Sequence, residues 1–180
     1  TLKWSKNYNG PAEQDDRAWG IVVDASDNVY ITGESAGITS KNDIATLKYS
    51  SAGTLLWTSR FNGSEGHDDK GYGIVVDELS NSCIITGTTE TSNRGQDIVT
   101  IKLNTSNGST AWQKTFDGTG HSHDIAYDIV ISKTAANRKV FITGSTRKGS
   151  SVQSEDIVVL VYNMSGSLLG MNTYGGEAEI

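Results

Sequence analysis

The chain has 180 residues, a formal net charge of −6, and 20 glycines against a single proline. This charge disfavours nucleic acid as a partner, because phosphate binding needs clustered Lys and Arg. No apolar run is long enough to cross a bilayer as a helix. Without helical periodicity, the glycine-rich composition is typical of a turn-rich all-β domain.

The first predicted element is an outer strand in residues 1–9, which belongs to a pattern of Trp4, an aromatic at Tyr8 and a glycine at Gly10. The same pattern returns in residues 57–63 and 112–118, and without its tryptophan in residues 170–176. A period of roughly 50 to 60 residues with aromatic and glycine signposts indicates a propeller or a related repeat array.

Four strand-like runs follow the first pattern. The first run is continuously apolar, as expected for an inner strand covered on both faces. The second run closes with Thr-Gly, the third alternates in burial with period two, and the fourth carries the tryptophan and reads as an outer strand. Turn residues between the runs favour tight antiparallel hairpins. The runs in the first copy are 19–24, 29–33, 43–49 and 55–61.

The chain divides into three such copies. We assign the first blade to residues 16–63, the second to 64–118 and the third to 119–176, with 1–15 as the outer strand and linker of a preceding blade and 177–180 as the start of another linker. The prediction is an all-β chain: a β-propeller segment of three four-stranded antiparallel blades plus one extra outer strand at the N-terminus, all in one domain.

The sequence pattern of the repeats resembles that of a known family. The order W-x-x-x-[YF]-[ND]-G, then [WY]-[GD]-I-V, then a run ending in Thr-Gly, then D-I-x-T-x-K is similar to the bacterial seven-bladed β-propeller repeat, over essentially the whole chain. The resemblance implies a non-catalytic propeller segment of a large exported or cell-surface bacterial protein, so the expected location is extracellular or at the cell surface. The third copy departs from the pattern at Asp128 and Val161.

Three blades are too few for a ring, since propellers close with about four to eight. Two explanations stay open: the residues are part of a longer propeller, or two chains pair to complete one. An exposed blade face would present an apolar patch, which usually marks an interface. We therefore expect self-association, or contact with remaining blades, through the end-blade faces.

Acidic residues recur at fixed places in the repeat. They could lock their loops by accepting backbone N–H bonds, which is the structural interpretation. A ring of carboxylates could instead hold calcium or a sugar hydroxyl. We predict no cofactor and no metal, with calcium as the alternative. The residues are Asp16, Asp69 and Asp124 before the inner strand, and Asp43, Asp97 and Asp156 before the third strand.

Histidine and arginine side chains in the connections are further ligand-binding candidates. His67, His121 and His123 lie beside aspartates in equivalent connections, but the first copy has no histidine there. We interpret these histidines as solvated loop residues. The alternative is a binding site formed only by blades two and three. Arg94 and Arg147 are predicted anchors in variable loops that are rich in Ser, Thr and Asn.

Three other residue types have simple interpretations. Ser35 sits in a Gly-x-Ser-x-Gly sequence, but no helix follows it, so we predict an ordinary connection rather than a nucleophile. Cys83 is predicted to be a buried thiol. The recurrent tryptophans are predicted to pack between blades.

The sequence favours a non-catalytic interaction scaffold that binds a protein or glycan through its loop rim, within a larger or oligomeric assembly. One alternative is an architectural spacer of a surface protein. Another is a carbohydrate-active enzyme that uses rim carboxylates. Convergence of Asp16, Asp69 and Asp124 in one cleft would favour the enzyme, and burial in loop hydrogen bonds would disfavour it.

Overall fold

The computed structural model describes residues 3–63, 66–91, 95–132, 134, 137–147 and 154–175. These residues form three four-stranded sheets, which we number in chain order. The first sheet contains β1 (Asp16–Val23), β2 (Val29–Ala36), β3 (Asn42–Tyr49) and β4 (Leu55–Phe61). The second contains β5 (Asp69–Asp77), β6 (Ser82–Thr91), β7 (Gly95–Asn104) and β8 (Thr110–Phe116). The third contains β9 (Asp124–Ile131), β10 (Lys139–Arg147), β11 (Glu155–Asn163) and β12 (Leu168–Tyr174).

Within each sheet, every strand pairs antiparallel with the next strand in the chain, so each sheet is a meander. This confirms the predicted all-β class and the three four-stranded antiparallel sheets. The turns between the third and fourth strands contain Gly53, Gly108 and Gly166, with φ of 81°, 72° and 83°. Glycine suits these turns because a side chain is strained at positive φ. A short 3₁₀-helix, Glu78–Ser80, precedes β6.

The extra outer strand predicted at the N-terminus is not found in the described part of that segment, and residues 1–2 lie outside the described residues. Residues 3–10 lie outside every strand, because a strand needs a paired backbone and no described strand pairs with this segment. Trp4 and Tyr8 nevertheless pack on the first sheet, against Ala45, Leu47 and Tyr49. The segment therefore makes the side-chain contacts of an outer strand without its backbone hydrogen bonds.

Two apolar joints hold the three sheets together. The first joint buries Tyr30, Ile44 and Trp57 of the first sheet against Cys83 and Val99 of the second. The second joint buries Ile84 and Ile98 of the second sheet in one cluster with residues of the third, including Ala126, Val140 and Leu160. The inner strand β5 contacts both β1 and β9. The expected burial on both faces therefore holds best for β5, while β1 is largely exposed because it lies in an end sheet.

A tryptophan closes each joint in the same way. Trp57 Nε1 donates to the Thr105 carbonyl of the second sheet at 2.9 Å, and Trp112 Nε1 donates to the Met164 carbonyl of the third sheet at 3.1 Å. Trp4 Nε1 donates to the Ser51 carbonyl at 3.1 Å. The prediction that these tryptophans pack between repeats is confirmed.

Each inner strand carries a β-bulge, which explains the glycine of the Thr-Gly signature. The register shifts between Ala18 and Gly20 in β1, and equivalent shifts occur in β5 and β9. A side chain at Gly33, opposite the bulge, would collide with the Arg17 carbonyl. The glycine was expected to end the second strand, but β2 continues to Ala36. The glycine at this position allows the backbones of the two strands to approach closely, and it does not end the strand.

Candidate functional site

The predicted aspartates occupy one equivalent position in the three sheets. Asp16, Asp69 and Asp124 are the first residues of β1, β5 and β9. Each accepts the backbone N–H of the glycine six residues earlier, with distances of 2.8, 2.7 and 2.7 Å from Gly10, Gly63 and Gly118. The three carboxylates thus belong to separate junctions, where each ties the preceding segment to the start of an inner strand.

Burial sets the electrostatics of this position at Asp69. Asp69 is inaccessible to solvent, and desolvation raises the pKa of its carboxyl to about 6, although hydrogen bonds from Gly63 and Thr89 oppose this rise. A carboxyl with such a pKa can take up a proton near neutral pH. The hydrogen bonds from Gly63 and Thr89 to this carboxyl hold the segment before β5 in place.

An arginine organises the junction at the first sheet. Arg60 Nη2 donates to Asp43 Oδ2 at 2.9 Å and to the Ser35 carbonyl at 2.8 Å, and Arg60 Nη1 donates to Ser35 Oγ at 2.6 Å. Asp43 and Ser35 are both buried. Ser35 was predicted to lie in an ordinary connection, but the structure places it in strand β2, where its hydroxyl accepts a hydrogen bond from the Arg60 guanidinium.

The junction between the second and third sheets is more acidic. Arg60 lies opposite Ala45 in the first sheet, whereas the neutral Thr115 lies opposite the equivalent Val99 in the second. Here Asp97, Asp117 and Asp124 place one carboxylate oxygen each within 4.8 Å of one another.

Among the described residues, this trio is the set with a geometry suited to a cation. Each acid also interacts with the protein, however. Asp124 Oδ2 accepts from Gly118, Asp117 Oδ2 lies 2.7 Å from His121 Nδ1, and Asp97 has further contacts. The sequence predictions did not include Asp117. The available signal was the change from Asn9 and Asn62 to Asp at this position of the repeat.

The histidine and arginine candidates are not gathered in one place. His121 is an exposed partner of Asp117, while His123 lies near Glu155, and His67 belongs to the connection before the second sheet. Arg147 pairs with Glu155 at 2.9 Å and is the main cause of the lowered pKa of that carboxyl. Arg94 lies outside the described residues.

The bulges bring together three aromatic residues that the sequence analysis assigned to a buried run. Trp19, Tyr72 and Tyr127 occupy the bulge positions of β1, β5 and β9. Trp19 contacts Tyr72 with ring centroids 5.8 Å apart, and Tyr72 and Tyr127 are 6.5 Å apart. Trp19 is 54% exposed and Tyr127 is 53% exposed.

We call Trp19, Tyr72 and Tyr127 the aromatic row. An aromatic at the same place in all three copies, just before a glycine or aspartate, was the signal in the sequence. The row runs across all three sheets along their inner strands, with Trp19 and Tyr127 exposed and Tyr72 partly buried between them.

Comparison with known proteins does not assign the chain to a family. No protein-family model matches the chain, and no curated protein matches it. Within the described part of the chain, no helix has the length and apolar character needed to span a membrane.

Proposed function

We propose that this chain is a β-propeller segment that acts as a non-catalytic interaction scaffold. The observation that carries the proposal is the repeated joint, in which a tryptophan of one repeat donates to a turn carbonyl of the next at three places. Because the joint is the same each time, residues at equivalent positions emerge as a regularly spaced array. Such arrays are typical of the extended binding surfaces of repeat proteins.

The hydrogen bonding of the predicted aspartates supports a structural role for them over a catalytic one. A glycosidase needs two carboxyl groups that flank one scissile bond, whereas Asp16, Asp69 and Asp124 each hold a different glycine N–H. We infer that these acids stabilise the rim and that the partner is a protein or a glycan. From the resemblance to bacterial propeller repeats, we infer an extracellular or cell-surface setting.

The exposed faces of the end sheets support association with further blades. In the joints, Ile74 and Ile129 are buried, but Ile21 at the same position of the first sheet is 69% exposed. Ile157 and Val130 are exposed on the third sheet, whereas Ile98, which stands at the position of Ile157 in the second sheet, is buried. We infer that both faces pack against other blades, from this polypeptide or from a second copy.

The scaffold function is tested by offering the chain immobilised polysaccharides and peptides, while soluble sugars are assayed for new reducing ends. Saturable binding without turnover is the expected result. Turnover that disappears in Asp69→Asn, with an unchanged melting temperature, would replace the scaffold by the enzyme. The face inference is tested by light scattering, where a persistent monomer of 19.3 kDa would contradict it.

A further inference from the structure

We propose that two copies of this chain associate by exchanging a strand, in which residues 3–10 of one copy replace β12 in the third sheet of the other copy. The third sheet of one copy then packs on the first sheet of the other. The inference rests on the proposed scaffold function, and it names a second copy as the partner of both open faces. A cavity, an exposed side chain and a change of hydrogen-bond donors carry it.

The open face of the first sheet contains an unfilled cavity. Residues 3–10 lie over this face, and Trp4 and Tyr8 line one side of a cavity of about 190 Å³. Ala18 and Gly33 line it from the sheet below. Protein interiors leave few voids larger than a water molecule, so the cavity is a place where a further side chain can pack.

An isoleucine fills the equivalent position in the first joint. A Cβ on Gly71, which stands in the second sheet where Ala18 stands in the first, would lie 2.9 Å from Ile44 Cγ2. Ile98 is at the position of Ile44 and is equally buried in the second joint. Ile157 is at the same position in the third sheet, but it is 55% exposed. The third sheet thus offers the isoleucine that the cavity on the first sheet can receive from a second copy.

The third sheet differs from the others in the residues that close a joint. In the first joint, Trp57 Nε1 and Lys48 Nζ donate to the Thr105 carbonyl at 2.9 and 3.0 Å, and the second joint repeats this pair of bonds. Gly170 and Val161 stand at these two positions in the third sheet, and neither side chain has an N–H group. The open face of the third sheet therefore cannot bond a turn carbonyl in this way.

The first sheet is a partner that does not need these donors. Its equivalent turn carbonyl, at Ser51, already accepts from Trp4 Nε1 at 3.1 Å. The Trp4 ring also lies on Gly53, as the ring of Trp57 lies on its glycine in the next sheet. Because residues 3–10 bring the tryptophan, a third sheet with glycine at position 170 can complete the joint without a clash between two indoles.

Strand exchange follows from the repeat alignment. Residues 3–10 and β12 correspond to the same strand of the repeat, so only one of them can pair with β11 in this contact. Residues 3–10 pair with none of the described strands, whereas most side chains of β12 are exposed. Exchange replaces one ladder on β11 by an equivalent ladder and buries both open faces, and the swapping of identical elements is a low-cost route to dimers.

Sedimentation velocity of the intact chain tests the association, and we expect a species of twice 19.3 kDa. Ile157→Asp should weaken the dimer about tenfold or more, because it brings a carboxylate into the apolar joint. Since Ile157 is exposed in the single chain, circular dichroism should show that the variant still folds. Leu79→Asp, at an exposed apolar residue of the central sheet, should leave the dimer unchanged.

Cross-linking tests the exchange itself. Aligning Trp4 with Gly170 places Lys6 of one copy opposite Val159 of the other. Chains with Lys6→Cys and chains with Val159→Cys, refolded together, should give a covalent dimer with a short thiol cross-linker, while the buried Cys83 does not react. Lys6→Cys with Leu79→Cys is the control pair and should give no covalent dimer.

The results distinguish the strand exchange from the broader inferences. A chain that stays monomeric would overturn the exchange together with the association of the end faces. A dimer in which Lys6→Cys and Val159→Cys do not cross-link would overturn the exchange and leave the association of the faces standing. Failure of the scaffold function would appear separately, as turnover of a soluble sugar.

Discussion

The indole ring of Trp57 lies directly on Gly108 in the adjacent sheet, so that a Cβ on Gly108 would be 2.8 Å from the ring. Trp112 and Gly166 repeat this contact in the second joint, and Trp4 and Gly53 repeat it on the first sheet. The glycine thus has two tasks: it allows the positive φ of the turn and it makes room for the tryptophan of the neighbouring repeat. The contact connects a local turn signal to the stacking of the sheets.

Gly108→Ala should lower the free energy of unfolding by about 2–4 kcal/mol, because it combines strain at positive φ with a steric clash against Trp57. Urea denaturation measures the change. Gly170→Ala is the matched control, since no atom lies within 4 Å of a Cβ there, and we expect a change below about 1 kcal/mol. Equal losses in the two variants would contradict the role of the joint.

Arg60→Met should destabilise the protein by about 3–5 kcal/mol, because it leaves the buried carboxylate of Asp43 without its counter-charge. The double variant Arg60→Met with Asp43→Asn should regain at least half of the loss. A double-mutant cycle in urea measures the coupling. Arg147→Ala, which breaks the more exposed pair with Glu155, should cost about 1 kcal/mol or less. Additive losses of Arg60 and Asp43 would refute this account.

The raised pKa of Asp69 predicts that the stability of the protein depends on pH. Its folded pKa, raised to about 6 by burial, lies above the unfolded value of about 3.9. The folded state therefore binds the proton more tightly, so Asp69 contributes stability that is fully present below about pH 4 and is lost as the pH rises through 6. Relative to Asp69→Asn, the wild type should lose about 2 kcal/mol between pH 4 and pH 7. Parallel stability curves for the two proteins would rule this out.

Cys83 should react with thiol reagents only upon unfolding. Its side chain is inaccessible, and burial raises the pKa of the thiol to about 12. Labelling by Ellman's reagent in increasing urea should follow the unfolding transition seen by fluorescence. Fast labelling of the native protein would contradict the burial of this residue.

The other two repeats indicate which side chain can replace Cys83. Val29 and Val140 stand at the equivalent position of the other sheets. Cys83→Val should therefore change the stability by less than about 1.5 kcal/mol. Cys83→Ser should cost about 1–3 kcal/mol, because it buries a hydroxyl in an apolar cluster. Thermal denaturation compares the two variants, and equal losses would refute the comparison between repeats.

Local patterns in the sequence determined the strands, their antiparallel order and the membership of each sheet, because alternation, glycine turns and aromatic signposts act over a few residues. The burial of Cys83 and the packing of Trp57 also followed from aligned repeats. The tertiary structure alone decided three other features. Residues 3–10 form no strand, since none of the described strands pairs with them. Arg60 neutralises one junction while Thr115 leaves its counterpart acidic. The bulges bring Trp19, Tyr72 and Tyr127 into one row, in which Trp19 and Tyr127 are exposed. Each of these depends on which side chains meet across stacked sheets, and a single repeat does not encode that relation.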